Sequence, residues 1–124
     1  MNAVSNAEAR AEIDGGPEKY VKSGSTLKLT CHIRQNSVAP DFVFWYHDGR
    51  MINYEDRLGV SVVGDATSST LVVGKAHSSN SGNYSCVPSN VRPASVIVHI
   101  LNGDIDFDLF CFFLFFIKFY LKCK

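Results

Sequence analysis

Charge of either sign is not in excess in this chain: twelve Lys and Arg face twelve Asp and Glu, for a formal net charge of zero. No long-range field therefore draws it toward nucleic acid or an anionic membrane surface, and no nucleic-acid partner is expected. The opening residues, MNAVSNAEAR, lack the basic start and the apolar run of a secretory leader. The four histidines, His32, His47, His77 and His99, form neither HExxH nor another metal-ligand spacing; no serine stands in GxSxG, and no glycine-rich phosphate loop precedes a helix. Each histidine is read as a surface or strand-face residue, and no catalytic group, cofactor or metal is expected. Length excludes a second complete domain, because 124 residues divided in two would leave too little apolar surface for either core.

What is present is a succession of short alternating segments. Ala7, Ala9, Ala11 and Ile13 alternate with Glu8, Arg10 and Glu12, the period of a half-buried edge strand, although Ala and Glu also favour helix. Asp14-Gly15-Gly16-Pro17 and Lys22-Ser23-Gly24-Ser25 are turn signals on either side of a short Tyr20-Val21 segment. Leu27, Leu29, Cys31 and Ile33 share one face of the next strand, which is expected to look inward. Asp41 to His47 is rich in aromatic and β-branched residues and runs into Asp48-Gly49, the signal for a tight turn toward Met51 to Tyr54. Strands at Val60 to Val62 and Thr70 to Val73, then a hairpin of Asn83 to Pro88 with Ala94 to Leu101, bring the expected count to seven to nine.

Four residues carry more information than this pattern. Trp45 lies fourteen positions after the inward-facing Cys31, and Tyr84 stands two residues before Cys86. An immunoglobulin sandwich uses this set: the cysteines join facing sheets, the Trp packs on the bridge, and the Tyr hydroxyl bonds back to the chain at a corner. The expected fold is all-β, an immunoglobulin-like Greek-key β-sandwich, with a Cys31 to Cys86 disulfide worth about 4 kcal/mol on chain-entropy grounds. Zinc is a poor alternative, because the only nearby ligand, His32, points to the opposite strand face. Many such domains carry Asp, paired with a basic residue, where Asn80 stands here; that ion pair is absent. A disulfide domain without a leader also reads as a chain truncated at its start.

The strings YVKSGSTLKLTC, FWYHDGRMINYEDRLGVSV and SGNYSCVPSNVRPASVIVHILNG resemble the second immunoglobulin domain of the insect defective-proboscis-extension-response (Dpr) proteins, over about residues 9 to 103. The resemblance implies the membrane-proximal domain of a neuronal cell-surface receptor that specifies synaptic connections by pairing with other immunoglobulin-superfamily proteins. It also implies that the partner interface lies mainly on a first domain absent from this chain, and that the location is the extracellular side of the plasma membrane. A spacer that holds a membrane-distal binding domain at the right height is the alternative role.

Strand parity marks two surface features. With Trp45 and Val43 inward, Phe42, Phe44 and Tyr46 face out; with Cys86 inward, Val87 joins them; and with Val96, Val98 and Ile100 inward, Ile97 and His99 face out. Phe44, Tyr46, Val87 and Ile97 are the candidate binding face, coverage by loops or a neighbouring domain being the alternative. Asn83-Tyr84-Ser85 is the sole glycosylation sequon, with Asn83 expected to point outward.

The organisation expected is a disordered segment over 1–8, the sandwich over 9–103 and an apolar tail over 104–124. The tail holds seven of the nine phenylalanines and no Gly, Pro, Ser, Thr, Ala or Val. Its uncharged run, Leu109 to Ile117, would extend about 14 Å as a helix, against about 30 Å for a bilayer core. Translated AT-rich non-coding sequence, membrane attachment and an ordered extension are the three readings; a lipid-anchor signal lacks the usual polar spacer.

Overall fold

The computed structural model describes residues 8–53 and 59–102. Nine strands follow one another: β1 (Arg10–Ile13), β2 (Glu18–Lys22), β3 (Leu27–Arg34), β4 (Val43–His47), β5 (Arg50–Met51), β6 (Val60–Gly64), β7 (Ser68–Val73), β8 (Gly82–Pro88) and β9 (Ala94–Leu101). They form two sheets, ordered β1-β3-β7-β6 and β2-β9-β8-β4-β5, here the back and front sheets. This is an all-β immunoglobulin-like sandwich, whose chain passes repeatedly between sheets as Greek-key connections require.

The turns expected from sequence act as sheet changes. Asp14 to Pro17 carries the chain from β1, antiparallel to β3 at the back edge, to β2, parallel to β9 at the front edge. Of the Ala and Glu alternation, Arg10 to Ile13 is thus an edge strand, with Ala11 and Ile13 buried and Glu12 exposed; Glu8 and Ala9 precede the strand, and Ala7 lies outside the described residues. Asp48-Gly49 links β4 to β5 with His47 paired to Arg50. Both turn residues have positive φ, 51° and 86°. A two-residue hairpin needs this backbone to match strand twist, and the Asp-Gly pair accepts it. Tyr54 lies outside the described residues.

The inner faces read directly from parity. Leu27, Leu29 and Cys31 of β3, Leu71 and Val73 of β7, Trp45 of β4, Tyr84 and Cys86 of β8, and Val96 and Val98 of β9 are buried. Val43 and Ile33 are half-buried against this core. Cys31 and Cys86 are joined by a disulfide between the sheets, with Cα atoms 6.4 Å apart. The Trp45 Nε1–H donates across the core to Ser69 Oγ at 3.0 Å.

The corner before β8 is built on a short 3-10 turn, Ser78–Asn80. The Tyr84 hydroxyl donates to the Asn80 carbonyl at 2.6 Å. Burial pushes the Tyr84 hydroxyl up to about 12, helped by the nearby Asp48 charge. The Asn80 carboxamide accepts the His77 N–H at 2.7 Å, so this side chain caps its own turn.

Candidate functional site

The outer face of the front sheet is the surface singled out by parity, and strand register arranges it in rows. Phe44 stands opposite Val87. One step along, Met51, Tyr46, Ser85 and Ser95 form a continuous row across β5, β4, β8 and β9. A further step brings Asn83 opposite Ile97, with Glu18 of β2 on the far side of Ile97. Tyr20 and His99 are paired beyond it.

The first row has an aromatic extension. Phe42, just before β4, stacks on Phe44 with ring centroids 4.2 Å apart and 20° between planes. Phe42 is 45% exposed, whereas Phe44, Tyr46 and Val87 are half-buried. Mutual cover within the row accounts for the difference, because directly opposed side chains on a sheet face shield one another. The β8–β9 loop is tied to this end: Ser89 N–H donates to the Phe42 carbonyl at 3.0 Å, and Ser89 Oγ accepts the Asp41 N–H at 2.9 Å.

Ile97 is 39% exposed, and the register separates it from Phe44 and Val87. Between them lies the row of Tyr46, Ser85 and Ser95, in which the two serine hydroxyls share a hydrogen bond of 2.8 Å. The outer face therefore has an aromatic end at Phe42, Phe44 and Val87, a middle row of Tyr46, Ser85 and Ser95, and a mixed end at Asn83, Ile97 and Glu18.

Asn83 is exposed. Its backbone is held by Asp48: the Asn83 N–H donates to Asp48 Oδ1 at 2.8 Å, and the Asn83 carbonyl accepts the Asp48 N–H at 2.8 Å. Tyr84, the next residue, is buried, so Asn83 and Ser85 lie on the same outward face.

At the β2 edge a small polar cluster closes the sheet. Tyr20 stacks on His99 with centroids 4.8 Å apart, and its hydroxyl donates to Glu18 Oε1 at 2.5 Å. That bond, made to an anion, pushes the Tyr20 hydroxyl up to about 12. His32, on the outer face of the back sheet, pairs with Asp14 at 2.9 Å. Among the described residues no three His, Cys, Asp or Glu side chains are grouped to hold a metal ion.

Three contributors escaped the sequence reading. Ser69 is buried at the Trp45 indole, and only its shared parity with Leu71 and Val73 could have flagged it. His47 stacks on Tyr84, centroids 4.4 Å apart, and its Nε2 lies 2.8 Å from the Ser81 carbonyl. Asn53 completes the β4 edge: its side chain accepts the Trp45 N–H and donates to the Val43 carbonyl at 3.0 Å. An asparagine in a turn-rich segment carries no local mark of such a role.

The chain matches the immunoglobulin-domain family model over residues 12–90, more than half its length, and belongs to that family. No curated protein sequence matches it. Among solved structures, it is similar to a Dpr2 Ig1-Ig2 chain crystallised in complex with DIP-Theta Ig1-Ig3, with 28% identity and a TM-score of 0.67; the match covers 77% of this chain and 51% of that one. It thus spans about half of that two-domain chain. It is also similar to an immunoglobulin domain in the titin M10–obscurin-like 1 complex, with 20% identity, a TM-score of 0.61, and 77% and 97% of the two chains covered. Titin domain I10 gives 16% identity and a TM-score of 0.57 over 73% of this chain and 97% of that one. The titin likenesses concern fold alone.

Proposed function

We propose that this member of the immunoglobulin-domain family is a non-catalytic domain of a cell-surface recognition protein, acting in recognition between neurons and in synapse organization. Within that reading it corresponds to the second, membrane-proximal domain of a Dpr-like receptor. The observation that carries the proposal is the likeness to the Dpr2 chain, of which this chain spans about half, together with the FWYHD and CVPSN strings. Fold alone would not support it, because the same sandwich serves unrelated roles.

The Cys31–Cys86 bridge supports an oxidising, extracellular location. The partners proposed are other immunoglobulin-superfamily cell-surface proteins; the Dpr2 chain was crystallised with such a partner. Among the described residues no helix is long and apolar enough to cross a membrane, and the apolar tail proposed for membrane attachment lies outside them.

The aromatic end of the front sheet is the surface proposed for contact, since Phe44 and Val87 are opposed on one outward row and Phe42 stacks on Phe44. The second reading is a spacer that binds nothing itself. The test is capture of immunoglobulin-superfamily ectodomains by the full chain displayed in multivalent form, with Phe44→Glu compared to the parent. The proposal expects capture that Phe44→Glu abolishes. Capture by neither form supports the spacer, and equal capture by both moves the contact off this face.

A further inference from the structure

We propose that Asn83 carries an N-linked oligosaccharide added before β8 joins the sheet, and that this glycan covers the Ile97 end of the outer face, confining protein contact to the Phe42, Phe44 and Val87 end. The inference rests on the extracellular part of the proposed function, since it requires entry into the secretory compartment.

The folded site has room for the sugar. Asn83 is exposed, and no hydrogen bond among the described residues uses its carboxamide, whereas its backbone N–H and carbonyl are both engaged by Asp48. A substituent on Nδ2 therefore leaves in place every hydrogen bond that this position makes among the described residues. The step replaces one Nδ2–H with a bond from Nδ2 to the sugar C1. The C1–O bond of a lipid-pyrophosphate-linked oligosaccharide breaks, its electron pair leaves with the lipid pyrophosphate, and the amide proton passes to a base of the transferase.

The folded site is nevertheless closed to the transferase. A transferase must hold the asparagine and the hydroxyl of the third sequon residue in its own site. In the sandwich Ser85 Oγ is bonded to Ser95 Oγ at 2.8 Å, and β8 is paired on one side with β4 and on the other with β9. Tyr84, between the two sequon side chains, is buried and bonded to Asn80. Cys86, one residue past the sequon, is fixed to the back sheet by the disulfide. Transfer and closure therefore compete for the same few residues, and transfer must come first.

Register fixes what the glycan covers. Ile97 is directly opposite Asn83, about 5 Å away between Cβ atoms. Val87 lies four residues further along β8, about 13 Å at strand rise. The sugars nearest Asn83 therefore lie over the exposed apolar surface of Ile97, and the aromatic end is the part of the face farther from the attachment point.

The full chain, translated behind a cleavable leader in the presence of endoplasmic-reticulum microsomes, tests this. The expected result is a single glycosidase-sensitive shift of the protease-protected chain, lost in Asn83→Gln, kept in Ser85→Thr, and increased when dithiothreitol holds the cysteines reduced. The oxidised, refolded chain presented afterwards to the same transferase is expected to stay unmodified. Hydroxyl-radical footprinting of the glycosylated chain against Asn83→Gln should show protection at Ile97 and none at Phe44. A protected chain with no shift, a shift that survives Asn83→Gln, modification of the refolded protein, or unchanged Ile97 reactivity would each overturn the proposal. Because the added leader imposes the compartment, failure here is separate from failure of the extracellular reading, which shows as reduced Cys31 and Cys86 in protein from cells.

Discussion

Trp45 and Ser69 belong to different sheets and are joined by a hydrogen bond of 3.0 Å from Nε1 to Oγ. Trp45 is the strand partner of Cys86, and Ser69 is the strand partner of Cys31. The covalent bridge and the hydrogen bond are thus neighbouring struts across the same part of the core, one made by the cysteines and one by the residues beside them.

Ser69→Ala strands the indole N–H in an apolar interior, which costs about 1–3 kcal/mol. Urea unfolding of the oxidised chain should show that loss. The double variant with Trp45→Phe should cost less than the sum of the two single changes, because the polar group left unpaired is removed with its partner. Additive losses would mean that the bond contributes nothing.

The disulfide spans a sequence separation of 55. Loop-closure entropy then gives about 4 kcal/mol from constraint of the unfolded chain. Cys31→Ala with Cys86→Ala should lower the unfolding midpoint by a corresponding amount while the β-sheet circular dichroism of any folded fraction is kept. A loss well under half of that would place the stability in the packing of the buried core.

Tyr84 links stability to alkaline pH. Burial raises its folded pKa from the usual 10 to about 12, so between these values the folded chain holds a proton that the unfolded chain gives up. The unfolded state then binds fewer protons, and stability falls with rising pH. The contribution is fully present below pH 10 and is lost as pH passes through about 12. Tyr20 is displaced in the same direction, so Tyr84→Phe should reduce the alkaline loss without removing it. Stability curves followed by ultraviolet phenolate absorbance check this.

The β4–β5 turn depends on backbone freedom at Gly49, whose φ is 86°. Gly49→Ala introduces a Cβ into left-handed backbone, at about 1–2 kcal/mol. The effect should be read by thermal unfolding of the oxidised chain and should be smaller for Gly49→Asn, because Asn tolerates that region better.

Much of the sandwich was legible because period-2 burial is a local property: Leu27, Leu29 and Cys31 declare one inward face, and Ala94 to Leu101 declares another. Cys31, Trp45, Tyr84 and Cys86 were legible as a set because each meets a separate physical need of one architecture. Ser69 was not, since a serine in Ser68-Ser69-Thr70 looks like turn material until the indole opposite it is known. The division of the candidate face was also hidden. Parity puts Ile97, Phe44, Tyr46 and Val87 on outward positions, but only pairing register shows that the row of Tyr46, Ser85 and Ser95 lies between Ile97 and the Phe44 and Val87 pair. Register is set by contacts between distant segments, which a single strand's composition does not reveal.

Cys31 and Cys86 tie the two sheets together, and the proposed extracellular location depends on that bridge forming. The most direct test is peptide-level mass analysis of the full chain secreted from cells, alkylated before and after reduction. Neither cysteine is expected to be alkylated until the protein is reduced, and their peptides are expected to travel linked beforehand. Free Cys31 and Cys86 thiols in the folded, secreted protein would contradict the bridge.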